Sequence, residues 1–86
     1  MNLPYTYTVD SEVLELFAAL PKRQRDKLLD VFRQLCSNPF APGDFTHVDS
    51  VGRHCQVKRF REWLVTFWPE HLANEVHIIA IQHLRM

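Results

Sequence analysis

The chain has 86 residues, of which 47% are apolar and 23% charged, and its ten Lys and Arg balance ten Asp and Glu. That length provides one domain, residues 1–86, whose single core buries roughly 60 to 65% of the unfolded surface, and it excludes a second domain. Leu, Val, Phe and Trp are spread along the chain, which excludes disorder beyond the first few residues, and zero net charge gives no whole-molecule reason to expect nucleic acid or a membrane as partner.

The N-terminal MNLPYTYTVD has neither a basic start nor an apolar h-region, and no apolar stretch reaches the ~18 to 20 residues of a bilayer span. A cytoplasmic protein is expected. Tyr5 to Val9 is short, aromatic and β-branched, bounded by Pro4 and Asp10, and reads as a first strand. A first helix follows. Asp10 or Ser11 can accept from the free N–H groups of its first turn, Glu12 suits its positive end, and Val13, Leu16, Phe17 and Leu20 recur at helical spacing.

Pro21 closes that helix or opens the next. From Lys22 to Cys36, residues Leu28, Leu29, Phe32, Leu35 and Cys36 share one face, so a second helix completes an αα-hairpin. It stops at Asn38, which Pro39 disfavours in the α region. Residues 39–50 read as loop, with a short extended piece around Phe45 to Val48. The period then becomes two. RHCQVKRF alternates Cys55 and Val57 against His54, Gln56 and Lys58; WLVTFW is apolar on both faces, as in a central strand; and VHIIAIQHL is long enough to cross a small sheet. The expected fold is α+β, in the order β-α-α-β-β-β, with a helical hairpin packed on a mostly antiparallel sheet.

Charge is unevenly placed. Residues 1–50 carry five Lys and Arg against seven Asp and Glu, whereas residues 51–86 carry five against three. Arg53, Lys58, Arg59 and Arg61 fall within ten residues that contain no acid. On charge alone this is a solvated strand and turn; the sharper reading is a local anion-binding surface.

The order of elements, the Asn38-Pro39 stop, VKRFREWLVTFWPE and VHIIAIQHLRM together resemble the RelE/ParE superfamily of bacterial toxins, over Tyr5 to Met86. The most specific part is the C-terminal half: a basic strand, a strand ending in an aromatic before Pro69, and a last strand reading Ile79, Ala80, Ile81, Gln82, His83, Leu84, Arg85. The resemblance implies a growth-inhibiting toxin, of the kind linked to plasmid stabilisation, neutralised by a cognate antitoxin that wraps over it. It implies one of two targets: DNA gyrase for ParE-like members, or mRNA on the ribosome for RelE-like members; an inactive structural module that only binds its partner is the third reading. The assembly would be a homodimer or a toxin–antitoxin hetero-oligomer.

RNA cleavage needs a proton carrier and several cations around the phosphate. Lys58, Arg61, His83 and Arg85 are the candidates, expected to converge because neighbouring strands lie ~4.8 Å apart, with His83 as the group suited to neutral pH. A departure favours the ParE-like reading. Where ribonuclease members carry a third-strand arginine this chain has Leu64, and no tyrosine follows the last strand. Without the resemblance, His83 reads as an ordinary rim residue, and Arg85 as a partner of the C-terminal carboxylate.

Arg53, Arg59, Trp63 and Trp68 are the partner-binding candidates. The two tryptophans fall on opposite strand faces, so one points toward the helices and the other is left for a partner or for ordinary surface packing. Cys36 and Cys55 have no C-x-x-C spacing and read as buried thiols in a reducing compartment. His77 and His83 are expected on one strand face but ~20 Å apart, too far for one ion with ligands at ~2.0 Å. With only two glycines in the chain there is no phosphate-cradling loop, and no metal or cofactor is implied.

Overall fold

A computed structural model describes residues 4–85, in the order β1 (Thr6–Val9), α1 (Ser11–Ala18), α2 (Lys22–Ser37), β2 (Phe45–Val48), β3 (His54–Phe60), β4 (Trp63–Glu70) and β5 (Glu75–His83). The first three residues and Met86, at which the resemblance ends, lie outside the described residues. The fold is α+β as expected, with one addition: Phe45 to Val48 pairs with β3, making a five-stranded sheet rather than four strands.

The sheet order is β1-β5-β4-β3-β2, with β1 parallel to β5 and every other pair antiparallel. The helical hairpin therefore carries the chain from one edge strand to the other, across one face of the sheet. Its stops follow local chemistry. Asp10 begins α1 through its backbone carbonyl, which accepts from the Leu14 N–H at 2.9 Å, and no side chain caps the helix. Pro21 is the N-cap of α2, its carbonyl accepting from Gln24 and Arg25. Asn38 ends α2 at φ −141° and ψ 67°, outside the α region that Pro39 forbids it.

Strand alternation sorts the sheet into two faces. Trp63, Val65 and Phe67 of β4, with Val76, Ile78 and Ile81 of β5, face the helices and pack with Val13, Leu28, Val31, Phe32, Leu35 and Cys36. Phe32 and Phe67 are almost fully enclosed, and truncating either to alanine costs about 3–5 kcal/mol. Val31 joins this core although the helical pattern did not single it out. Leu16 departs the other way: expected on the buried stripe of α1, it is 56% exposed, while Val13 is buried and Phe17 and Leu20 pack at the margin.

A bulge breaks the β4–β5 ladder. Phe67 pairs with Ile78 and Thr66 with Ala80, leaving Ile79 unpaired. The extra residue reverses the alternation, so His77 lies on the open face and His83 on the helix face. The expectation that both share one face fails for this reason.

Gly43 holds the loop before β2 against β3. A Cβ there would lie 2.7 Å from the Val57 carbonyl oxygen, and this close approach lets the Asp44 N–H donate to that same carbonyl at 2.8 Å.

Candidate functional site

The end of β5 meets the β3–β4 turn. The Leu84 N–H donates to the Glu62 carbonyl at 2.7 Å, so pairing continues one step past the strand and brings the C-terminal residues beside the turn. Arg61 occupies that two-residue turn at φ 56°, a left-handed backbone that non-glycine residues rarely adopt. Arg59, on the last turn-ward part of β3, curls toward it: its Nε–H donates to the Arg61 carbonyl at 2.8 Å.

Arg59, Arg61 and Arg85, with Glu62 and Leu84, line a cleft of about 430 Å³. Among the described residues no carboxylate comes within ion-pair distance of any of the three guanidiniums. Arginine stays charged at all physiological pH and presents donors in a planar fork. Three such forks around one carboxylate make a surface that attracts phosphate or carboxylate groups.

The sequence-based set is only partly gathered here. Arg61 and Arg85 meet, joined by Arg59, which was expected to serve partner binding. Lys58 does not reach the cleft: it pairs with Val65 on the helix side of β3, its ammonium 5.9 Å from the Phe60 ring. Nor does His83 line it. The His83 ring packs edge-on to Trp63 at 4.7 Å and borders a separate groove against Leu16 and Leu20 of α1. Its side chain is 14% exposed, with Nε2 3.7 Å from a Glu62 carboxylate oxygen. Convergence of all four therefore fails for Lys58 and His83, because strand alternation and the bulge send both to the helix face.

Glu62 is the member that sequence reasoning passed over. With Arg61 it also walls a second cleft, of about 490 Å³, against Lys27, Asp30 and Gln34 of α2. The signal lay in the two-residue interval between an alternating strand and an apolar one, which marks Arg61 and Glu62 as turn residues projecting beyond the sheet.

The two tryptophans divide as expected. Trp63 is 6% exposed in the core, its indole N–H directed at the Gln24 side-chain oxygen at 3.4 Å. Trp68 lies on the open face, stacked on His77 at 4.5 Å, with the Arg53 guanidinium 5.0 Å from its ring centre. Arg53 is tied down as well, its Nε–H donating to Asp49 at 2.7 Å. That contact and the backbone N–H groups of Arg53 and Val51 hold the Asp49 carboxyl below the usual carboxylate range, the Arg53 amide contributing most. Both cysteine thiols are free and buried, and burial pushes both upward.

Helical hairpin and five-stranded, mostly antiparallel sheet together form a RelE-like fold. Solved structures bear this out. The chain is similar to the RelBE2 toxin–antitoxin complex of Mycobacterium tuberculosis, with TM-score 0.77 and 16% identity over 94% of this chain and 99% of that one. It is similar to the archaeal RelE–RelB complex of Pyrococcus horikoshii, with TM-score 0.74 and 13% identity over 96% and 98%. Isolated Escherichia coli RelE toxin aligns with TM-score 0.71 and 13% identity over 95% and 86%. No protein-family model matches the sequence, and no curated protein does.

Proposed function

We propose that the chain is the toxin of a type II toxin–antitoxin pair, that it inhibits growth in the cytoplasm by ParE-like interference with DNA gyrase, and that a cognate antitoxin neutralises it. The observation that carries the reading is the arginine cleft: three guanidiniums, without a carboxylate at ion-pair distance among the described residues, gathered at the end of β5 on a fold shared with RelE toxins. An exposed apolar surface supports an antitoxin partner, since Leu14 and Leu16 of α1 are each more than half exposed and Leu16 lines the groove that His83 borders.

Binding rather than cleavage is favoured by where the histidine sits. The His83 ring packs edge-on to Trp63 and does not line the cleft, so the cleft gathers cations without an imidazole among its walls. A second reading, ribosome-dependent cleavage of mRNA, is favoured by the RelE identity of the solved relatives and by Glu62, a carboxylate placed among the arginines where a general base could act.

Induced expression with and without the neighbouring open reading frame tests the toxin assignment: growth arrest alone and rescue by the partner are expected. In the arrested cells, altered plasmid supercoiling with intact transcripts supports gyrase. Codon-associated cuts in translated messages, lost in Glu62→Gln, replace it with the ribonuclease reading, and normal growth removes both.

A further inference from the structure

At the far end of β5 from the arginine cleft, Glu70 and Glu75 close the β4–β5 hairpin as a directly opposed cross-strand pair. Two residues along β5, His77 lies on the same open face. One ligand atom from each of the three lies within 4.8 Å of the other two, and all three side chains are partly buried. Among the described residues neither carboxylate has a lysine or arginine within ion-pair distance; the only partner is the His77 ring, whose Nε2 is 3.1 Å from Glu70. Like charges directly opposed on neighbouring strands destabilise the pairing, so a cation is electrostatically invited here.

The imidazole is held as a ligand ring is held. Its Nδ1 is 2.6 Å from the Thr8 hydroxyl on the adjacent strand, and its face stacks on Trp68 at 4.5 Å and 28°. In the metal-free neutral ring Nε2–H donates to Glu70 and Nδ1 accepts from the Thr8 hydroxyl; with a metal bound, the proton sits on Nδ1 and donates to Thr8, and Nε2 turns its lone pair to the ion. Support of the second ring nitrogen from outside the coordination sphere is what fixes metal-binding histidines. One imidazole nitrogen and two carboxylates suit Zn²⁺ better than Ca²⁺ or Mg²⁺, which prefer all-oxygen surroundings. Tetrahedral Zn²⁺ with ligands at ~2.0–2.2 Å needs donor atoms ~3.4 Å apart, a contraction that the flexible glutamate side chains can supply.

We propose that Glu70, Glu75 and His77 form a Zn²⁺ site that staples the β4–β5 hairpin and leaves a fourth coordination position to water. No function of the arginine cleft enters this proposal. The sequence hid the site because His77 pairs on paper with His83, whereas its neighbours in the fold are glutamates on either side of a turn.

Titration calorimetry and thermal unfolding of the full chain with Zn²⁺ test it. Binding of one ion per chain with a rise in Tm is expected, abolished in Glu75→Gln and His77→Gln and retained in His54→Gln. Thr8→Val should weaken affinity about tenfold or more, with Thr8→Ser restoring it. In metal-free protein Glu75→Gln should leave Tm unchanged or raised, since it removes a repulsion, so loss of the zinc response cannot be mistaken for misfolding. Long-range nitrogen NMR should show Zn²⁺ in place of the proton on His77 Nε2, with the single ring proton carried on Nδ1. Absence of a zinc response, or a response that survives both Glu75→Gln and His77→Gln, overturns the site.

Discussion

The backbone N–H of Arg85 donates to the Nδ1 of His83 at 3.2 Å. The neutral ring therefore carries its proton on Nε2, the nitrogen directed at Glu62 3.7 Å away. A histidine that accepts from the next arginine's amide and packs against Trp63 serves to hold the chain end beside the β3–β4 turn. His83→Ala should lower unfolding free energy by about 1–2 kcal/mol through the lost acceptor and edge contact, read as a shift in urea midpoint at constant slope. His83→Phe should recover most of the packing and keep growth inhibition. Loss of toxicity in a folded His83→Phe protein would favour a proton-transfer role instead.

Arg61 permits stability and action to be separated. Its φ of 56° is unfavourable for a residue with a Cβ, by about 1–2 kcal/mol. Arg61→Gly relieves that strain but loosens the unfolded chain by about 0.4–1 kcal/mol. The relief outweighs the loss, so urea unfolding should show a stabilising change of about 0–1.6 kcal/mol. Growth inhibition should fall sharply all the same, because the cleft loses one of its three cations.

Gly43→Ala should destabilise the chain by about 1–3 kcal/mol, as overpacking does. The obstruction is the Val57 backbone oxygen, 2.7 Å from the added carbon, and backbone in a paired strand cannot rotate aside. Amide exchange should then show the loosening concentrated in β2 and the Asp44 to Val57 contact, with α2 unaffected.

Asp49 carries the acid sensitivity of the β2–β3 hairpin. Its folded pKa is depressed by the Arg53 amide first and then by the Arg53 side chain and the Val51 amide. A depressed carboxylate contributes stability that is present above the unfolded value of about 3.9 and is lost as pH falls below it toward the folded value. Wild type should therefore exceed Asp49→Asn in urea midpoint at neutral pH, and the gap should close below about pH 4. A gap that stays constant down to strongly acidic pH would assign the difference to hydrogen bonding alone.

Much of this fold is legible from local chemistry. Pro21 and the Asn38-Pro39 pair punctuate the helices where their backbone restrictions demand, and the change of period at residue 53 announces the sheet. The candidate site is legible only in part, because it depends on which way strands alternate after an irregularity. Nothing in the residues Ile78, Ile79 and Ala80 marks the unpaired Ile79, yet that one residue sends His77 and His83 to opposite faces. Leu16 illustrates a second gap: α1 spans eight residues and touches the sheet along a narrow line, so a helical apolar period overstates what is buried. The joining of Arg59 to Arg61 and Arg85 rests on one hydrogen bond to a turn carbonyl and one beyond a strand end, contacts between residues that sequence spacing does not bring together.

Growth after induced expression of wild type and of a chain with Arg59, Arg61 and Arg85 all changed to alanine is the most direct measurement. The three arginines are exposed and, among the described residues, have no ion-pair partner, so the triple variant should fold and unfold at nearly the wild-type temperature. Wild type should halt growth and the folded triple variant should not. Equal toxicity of the two, or unimpeded growth with wild type, would contradict a toxin that works through the arginine cleft.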